Sequence, residues 1–240
     1  MPKKMKPSLP PATVRQRMSE MAFARKMLSN FVNRLRQDRS GVAVIELAYS
    51  LPILMVLGVT GAETAYYVQT QQQISQIALA AADNASRVGE AGVLQTRRVY
   101  ESDINDIFLG APKQFGDPNF FDNARIIISS VEYDADDNIY IHWQRCMGEK
   151  DVDSEFGPEG TGLGDDTLED GINTGAARVK PVPGSALIVA EVSYDFQALF
   201  GISPYVSREL KAKGVFVVRD ARDLTGLYDK TGEDPVATCA

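Results

Sequence analysis

The residues able to do chemistry fall in three places. Glu46 stands near the front of the most apolar stretch of the chain, Arg39–Ala62, five residues after Gly41. An acid at that position is costly in lipid unless something offsets it, so its presence asks for a reason. Cys146 and Cys239 are the only cysteines, one ending a strand-like run and one next to last in the chain. A disulfide between them is permitted if this part lies outside the cytoplasm; two free thiols are the other reading. His142 is the single histidine, beside Trp143 in a strand-like run, and no G-x-S-x-G motif accompanies it. It reads as a strand histidine rather than a catalytic base. The sequence holds neither GxGxxG nor GxxxxGK[ST], and one histidine with two cysteines cannot build a structural zinc site. Nine acids and one base, Lys150, lie within Glu149–Asp170. Asp151, Asp153 and Glu155 alternate as in a calcium loop, but Phe156 takes the glycine position and Gly162 the closing glutamate position. The expectation is a long, solvated, mobile loop with no metal, and no cofactor or enzymatic activity is implied.

The charge is divided unevenly. Residues 1–40 carry ten Lys or Arg and two acids, Glu20 and Asp38, so the net charge of −7 for the 240-residue chain hides a basic arm and an acidic remainder. A basic arm can bind nucleic acid. This one runs directly into an apolar segment, which favours membrane topology, with Lys and Arg retained on the cytoplasmic side and no nucleic-acid partner. Within the arm, Met18–Leu35 places Met21, Phe23, Ala24, Met27, Leu28, Phe31 and Leu35 at helical spacing. That fits an amphipathic helix on the inner membrane surface, or a loosely helical leader with no other role.

The elements that hold these residues follow from periodicity. Leu47–Ala62 has no charge, and adding Val42–Ile45 gives about 20 apolar residues, enough for the ~30 Å hydrocarbon core if Glu46 is tolerated. Pro52 lies inside this span, so a kink near Ala48–Pro52 is expected. Beyond it, Tyr67, Ile74, Ile77, Ala78, Ala81, Ala85 and Val88 mark one helical face, ending near Gly89 or Gly92. A single helix from about Val42 to about Gly89, roughly 70 Å long, is expected, half in lipid and half laid against a head. Ala124–Tyr133 and Asn138–Cys146 flank the turn-rich Asp134–Asp137 as a hairpin, and Ser185–Phe196 and Glu209–Val218 add two strands. The fold class expected is α+β: a long N-terminal helix packed on a small antiparallel sheet.

Gly41 precedes the apolar core and follows the basic leader, the order of a prepilin rather than of a secretory signal. The stretch "RSGVAVIELAYSLPILMVLGV" resembles the N-terminal segment of TadE-like proteins, minor pilin-like subunits of the Tad (Flp) pilus system. Gly41 with Glu46, Leu51–Pro52 inside the helix, and the continuation "YYVQTQQQISQIALAAADNASR" carry the likeness. "WQRC" at Trp143–Cys146 and "VAEVSYDFQALFG" at Val189–Gly201 resemble late strands of the same family. The leader of 41 residues is long for a prepilin, and neither Val93–Asn123 nor the acidic run takes part. No D-x-S-x-S signature of the von Willebrand module found in TadG-like proteins occurs.

The resemblance implies a division of the chain and a mechanism. Residues 1–41 would be a cleaved cytoplasmic leader, 42–63 the transmembrane helix, 64–92 its extracytoplasmic continuation, and 93–240 an exported head with the acidic loop at 147–184. A TadV-like prepilin peptidase of the inner membrane would cut between Gly41 and Val42, the small glycine letting the backbone enter closely. Glu46 of one subunit would pair with the new ammonium of Val42 on a neighbour during docking. Partners implied are the inner membrane, TadF-like and TadG-like subunits and the Flp major pilin, with the head on the periplasmic side. The alternative is an unprocessed single-span membrane protein with an extracytoplasmic binding domain.

Overall fold

A computed structural model describes residues 12–37, 40–90, 96–201 and 208–239, and the side chains of the first helix from Arg25. The basic residues Lys3, Lys4, Lys6 and Arg39 and the proposed helix end at Gly92 lie outside these. Helix α1 spans Ala12–Gln37 and α2 spans Ser40–Arg87. The chain divides into two compact units, Met1–Val59 and Thr60–Ala240, and the division falls inside α2.

The second unit is the long helix's C-terminal part packed on a small antiparallel sheet, an α+β arrangement. After α2 come helix α3 (Glu101–Phe115), strands β1 (Ala124–Tyr133) and β2 (Ile139–Met147), a two-residue-strand hairpin β3 (Ile172–Asn173) and β4 (Arg178–Val179), and strands β5 (Leu187–Asp195) and β6 (Glu209–Val217). The main sheet has the order β2-β1-β5-β6, each neighbour antiparallel. The β1–β2 turn is closed by Asp134, whose carboxylate accepts the backbone N–H groups of Asp136 and Asn138, while Asp137 takes a left-handed φ of 65°.

The helical face read from the sequence is the one buried: Ile74, Ile77, Ala78, Ala81 and Ala85 are in the core, with Ala82 beside them, and Tyr67 and Val88 half-buried against it. Small residues on this face let the helix approach the sheet closely. Its end is capped from afar, because Arg222 donates to the carbonyls of Ala85 and Val88 and Arg97 donates to Arg87. These satisfy acceptors that a helix leaves open at its C-terminus. Burial, and then the nearby charge of Arg97, lower the Arg222 pKa to about 10.

Helix α3 has no counterpart among the sequence expectations. Ile104, Phe108 and Ala111 are its buried positions, the Asp103 carboxylate accepts the Tyr100 N–H at its start, and Gly116 ends it at φ 85°. Phe115, Phe120 and Tyr194 meet beneath it.

The acidic segment is an irregular loop exposed along most of its length, as expected, but it is anchored at a few apolar residues. The segment folds over the sheet face opposite α2, where Leu168 and Ile172 are buried with Val131, Ile139, Ile141, Leu187 and Val189, and Phe156 packs against them. Sparse apolar residues suffice because this second face is itself apolar, and leaving it wet would be unfavourable. Polar bonds fix the loop as well: Ser154 donates to Glu191, the Glu155 N–H donates to the same carboxylate, and Gln144 donates to the Gly157 carbonyl.

Candidate membrane and processing segment

The first half of α2, from Ser40, is apolar around most of its circumference, with Glu46 the one charged residue before Glu63. Val42, Val44, Ile45, Leu47, Ile53, Leu54, Met55, Val56 and Leu57 are all exposed. None of this apolar stretch is buried, and the helix is long and apolar enough to cross a membrane. In water such a surface would far exceed the apolar patches soluble proteins tolerate.

Gly41, Val42 and Glu46 are exposed within this helix, and a Cβ built on Gly41 meets nothing within 4 Å. Val42 and Glu46 are four residues apart, so their side chains share one face a single turn apart. Pro52 lies inside α2, and its ring removes the amide that would otherwise bond the Ala48 carbonyl.

The far end of the apolar stretch carries the acid whose placement the sequence did not reveal. Glu63 is buried, with 1% of its surface exposed, and accepts the Gly201 N–H at 3.1 Å. Its partner is 138 residues away, so no local signal could have found it.

In the head, Cys146 and Cys239 form a disulfide, and the Cys146 N–H donates to the Ala237 carbonyl, pinning the C-terminal tail along β2. Two neighbours of the bridge in the "WQRC" run have structural partners of their own. Arg145 grips Glu101 through Nε and Nη2, at 2.9 and 2.6 Å, and reaches Glu159 at 3.2 Å. Gln144 donates to Ser129.

His142 is the extra residue of a β-bulge. Ser130 pairs with Trp143 and Val131 with Ile141, which leaves His142 unpaired in the ladder. The bulge turns it toward Glu132, and Nδ1 lies 2.9 Å from the carboxylate. The hydrogen bond to Glu132 raises the His142 pKa, against the opposing effect of burial. Ser130 donates to the other oxygen of the same carboxylate at 2.7 Å. Ser130, Glu132 and His142 therefore do not form a nucleophile–base relay, in which the hydroxyl must bond the imidazole. Among the described residues, no group of three His, Cys, Asp or Glu side chains is placed to hold a metal.

Comparison with protein-family models, curated proteins and solved structures returns no match.

Proposed function

We propose that the chain is a minor pilin-like subunit of a Tad (Flp) type pilus, held in the inner membrane by α2 and cut after Gly41 by a prepilin peptidase. The observation that carries this reading is the order of residues on one exposed helix: Gly41, Val42, then Glu46 one turn on, at the front of a span with no apolar side chain buried. A basic leader on one side of the span and a disulfide on the other support an orientation with residues 1–41 cytoplasmic and the head exported.

Cleavage removes the basic leader and leaves an ammonium on Val42. Glu46 of a neighbouring subunit neutralises it as the two helices come together, which makes docking favourable only for processed chains. The head's task is structural: a long helix bonded to a sheet and locked by its tail.

Expression of the chain with its partner peptidase, followed by mass spectrometry of the mature N-terminus, tests the reading. A start at Val42 is expected. An intact leader under those conditions sinks it and leaves an unprocessed, single-span protein with an extracytoplasmic binding domain. Gly41→Asp is expected to block cutting and Gly41→Ala to slow it. Glu46→Ala is expected to leave cutting intact and lower the yield of assembled pili.

A further inference from the structure

Helix α1 has an apolar face that no described residue covers. Every residue from Arg25 to Gln37 is exposed, and Met27, Leu28, Phe31, Val32 and Leu35 each show 48–66% of their surface. At 100° per residue these five fall within one arc of about 140°, wide enough for a helix that buries one side. Arg25 and Arg36 border one edge of that arc and Arg34 the other, while Lys26, Asn30, Asn33 and Gln37 hold the far side. No acid occurs between Met21 and Gln37. A coiled-coil partner would ask for a narrow seam with mixed charges along its borders. Here the borders are arginine alone, and the helix precedes the apolar half of α2 by two residues. Both features match the surface of a bilayer with anionic headgroups, where arginine stems lie along the apolar region and guanidinium groups meet phosphate.

We propose that α1 lies in the membrane interface and binds anionic phospholipid, its Met27–Leu35 face in the acyl boundary and Arg25, Arg34 and Arg36 among the headgroups. The inference rests on α2 being a membrane span, though not on its being a pilin. Two anchors then flank Gly41: an interfacial helix before it and a span after it. Gly41 is held at the depth of the membrane surface, whereas a free basic leader would let it wander.

The full chain, reconstituted in vesicles, tests this. Leu28→Cys, Phe31→Cys, Asn30→Cys and Asn33→Cys variants are labelled, without reductant, with a polarity-sensitive fluorophore. Vesicles are either phosphatidylcholine alone or an equal mixture with phosphatidylglycerol, and carry a brominated acyl chain as quencher. Blue-shifted, quenched emission at positions 28 and 31 but not at 30 and 33, in the anionic vesicles, is the expected result. Replacing Arg25, Arg34 and Arg36 together by Gln should abolish the difference between the two lipids. Four equally aqueous probes overturn the proposal. So does equal protection in both lipids, or protection in detergent that rises with protein concentration together with Leu28→Cys cross-linking, which makes a second copy the occupant. Alkaline extraction reads the span separately. A chain released by it overturns the span and this inference with it, whereas a retained chain with no periodicity overturns the inference alone.

Discussion

Gly214 on β6 lies directly beneath Ala78 of α2: a Cβ placed on Gly214 would come within 2.2 Å of the Ala78 carbonyl oxygen and 2.6 Å of its carbon. Both are backbone atoms, so no rotamer change relieves the clash, and the helix must lift off the sheet. Gly214→Ala is expected to cost about 1–3 kcal/mol, the range for overpacking a dense core. Each kcal/mol should lower Tm by roughly 2–4 °C in thermal unfolding of the purified chain, followed by the fluorescence of Trp143, its only tryptophan. Gly58→Ala is the control, because nothing lies within 4 Å of its added Cβ. Equal Tm values for the two variants would show that this close approach is not a constraint.

Arg145 and Glu101 join β2 to the first turn of α3, and both are nearly inaccessible, with side-chain exposures of 14% and 5%. Removing Arg145 leaves the Glu101 carboxylate buried alone, whereas removing Glu101 leaves Arg145 with Glu159 at 3.2 Å. Arg145→Leu is expected to destabilise by about 3–5 kcal/mol, and Glu101→Leu by less. The double variant should cost much less than the two losses together, because it leaves no orphaned charge. Denaturant unfolding of all four chains measures the coupling, and strictly additive losses would show that the pair contributes nothing of its own.

The parts legible in the sequence are those whose pattern repeats. Ile74, Ile77, Ala78, Ala81 and Ala85 gave a helical period, and the four long strands were placed within two residues of their ends, because each is a dense apolar run bounded by turn residues. Helix α3 is hidden in the sequence because Gly110 and Pro112 interrupt a short period carried by Ile104, Phe108 and Ala111. The exposure of the acidic segment is plain from its composition, but its anchors are not: Phe156, Leu168 and Ile172 are too far apart to show a period, and the face that needs them belongs to other strands. Glu63, Arg222 and the His142 bulge depend on partners or registers that only the folded chain brings together. In the candidate segment, what the sequence makes readable is placement alone: the apolar period puts Gly41, Val42 and Glu46 on one helix, and they lie exposed on α2.

His142 should make stability pH-dependent in a defined direction. Its bond to Glu132 raises its pKa in the folded state above the ordinary value near 6.5, so the folded chain holds this proton more tightly than the unfolded one. The stabilisation is fully present below the unfolded pKa and is lost as pH rises through the folded pKa. His142→Gln removes it. The difference in unfolding free energy between the native chain and this variant should therefore shrink as pH rises above the ordinary histidine value of about 6.5. A difference that stays constant across that range would mean that the imidazole is not held as its cation.

Cys146 and Cys239 close a loop with a sequence separation of 93 residues. In the chain-entropy account, a closure of that length is worth about 4–5 kcal/mol. Other bonds also hold the same tail, however. The Glu101 N–H donates to the Tyr228 carbonyl, the Tyr228 N–H to Val99, and Asn105 to Pro235. The tail of a Cys239→Ser variant thus stays docked up to about residue 235 and frees only its last turn of chain. The expected loss is about 2–4 kcal/mol, below the entropic value, because the freed end of the tail gives the native state some freedom as well while most native contacts persist. Hydrogen exchange separates the two contributions. The Cys146 amide, bonded to Ala237, should lose protection in the variant, while the Glu101 amide, bonded to Tyr228, keeps it. Loss of protection at both would mean that the bridge, rather than the backbone bonds, holds the whole tail against α3 and β2.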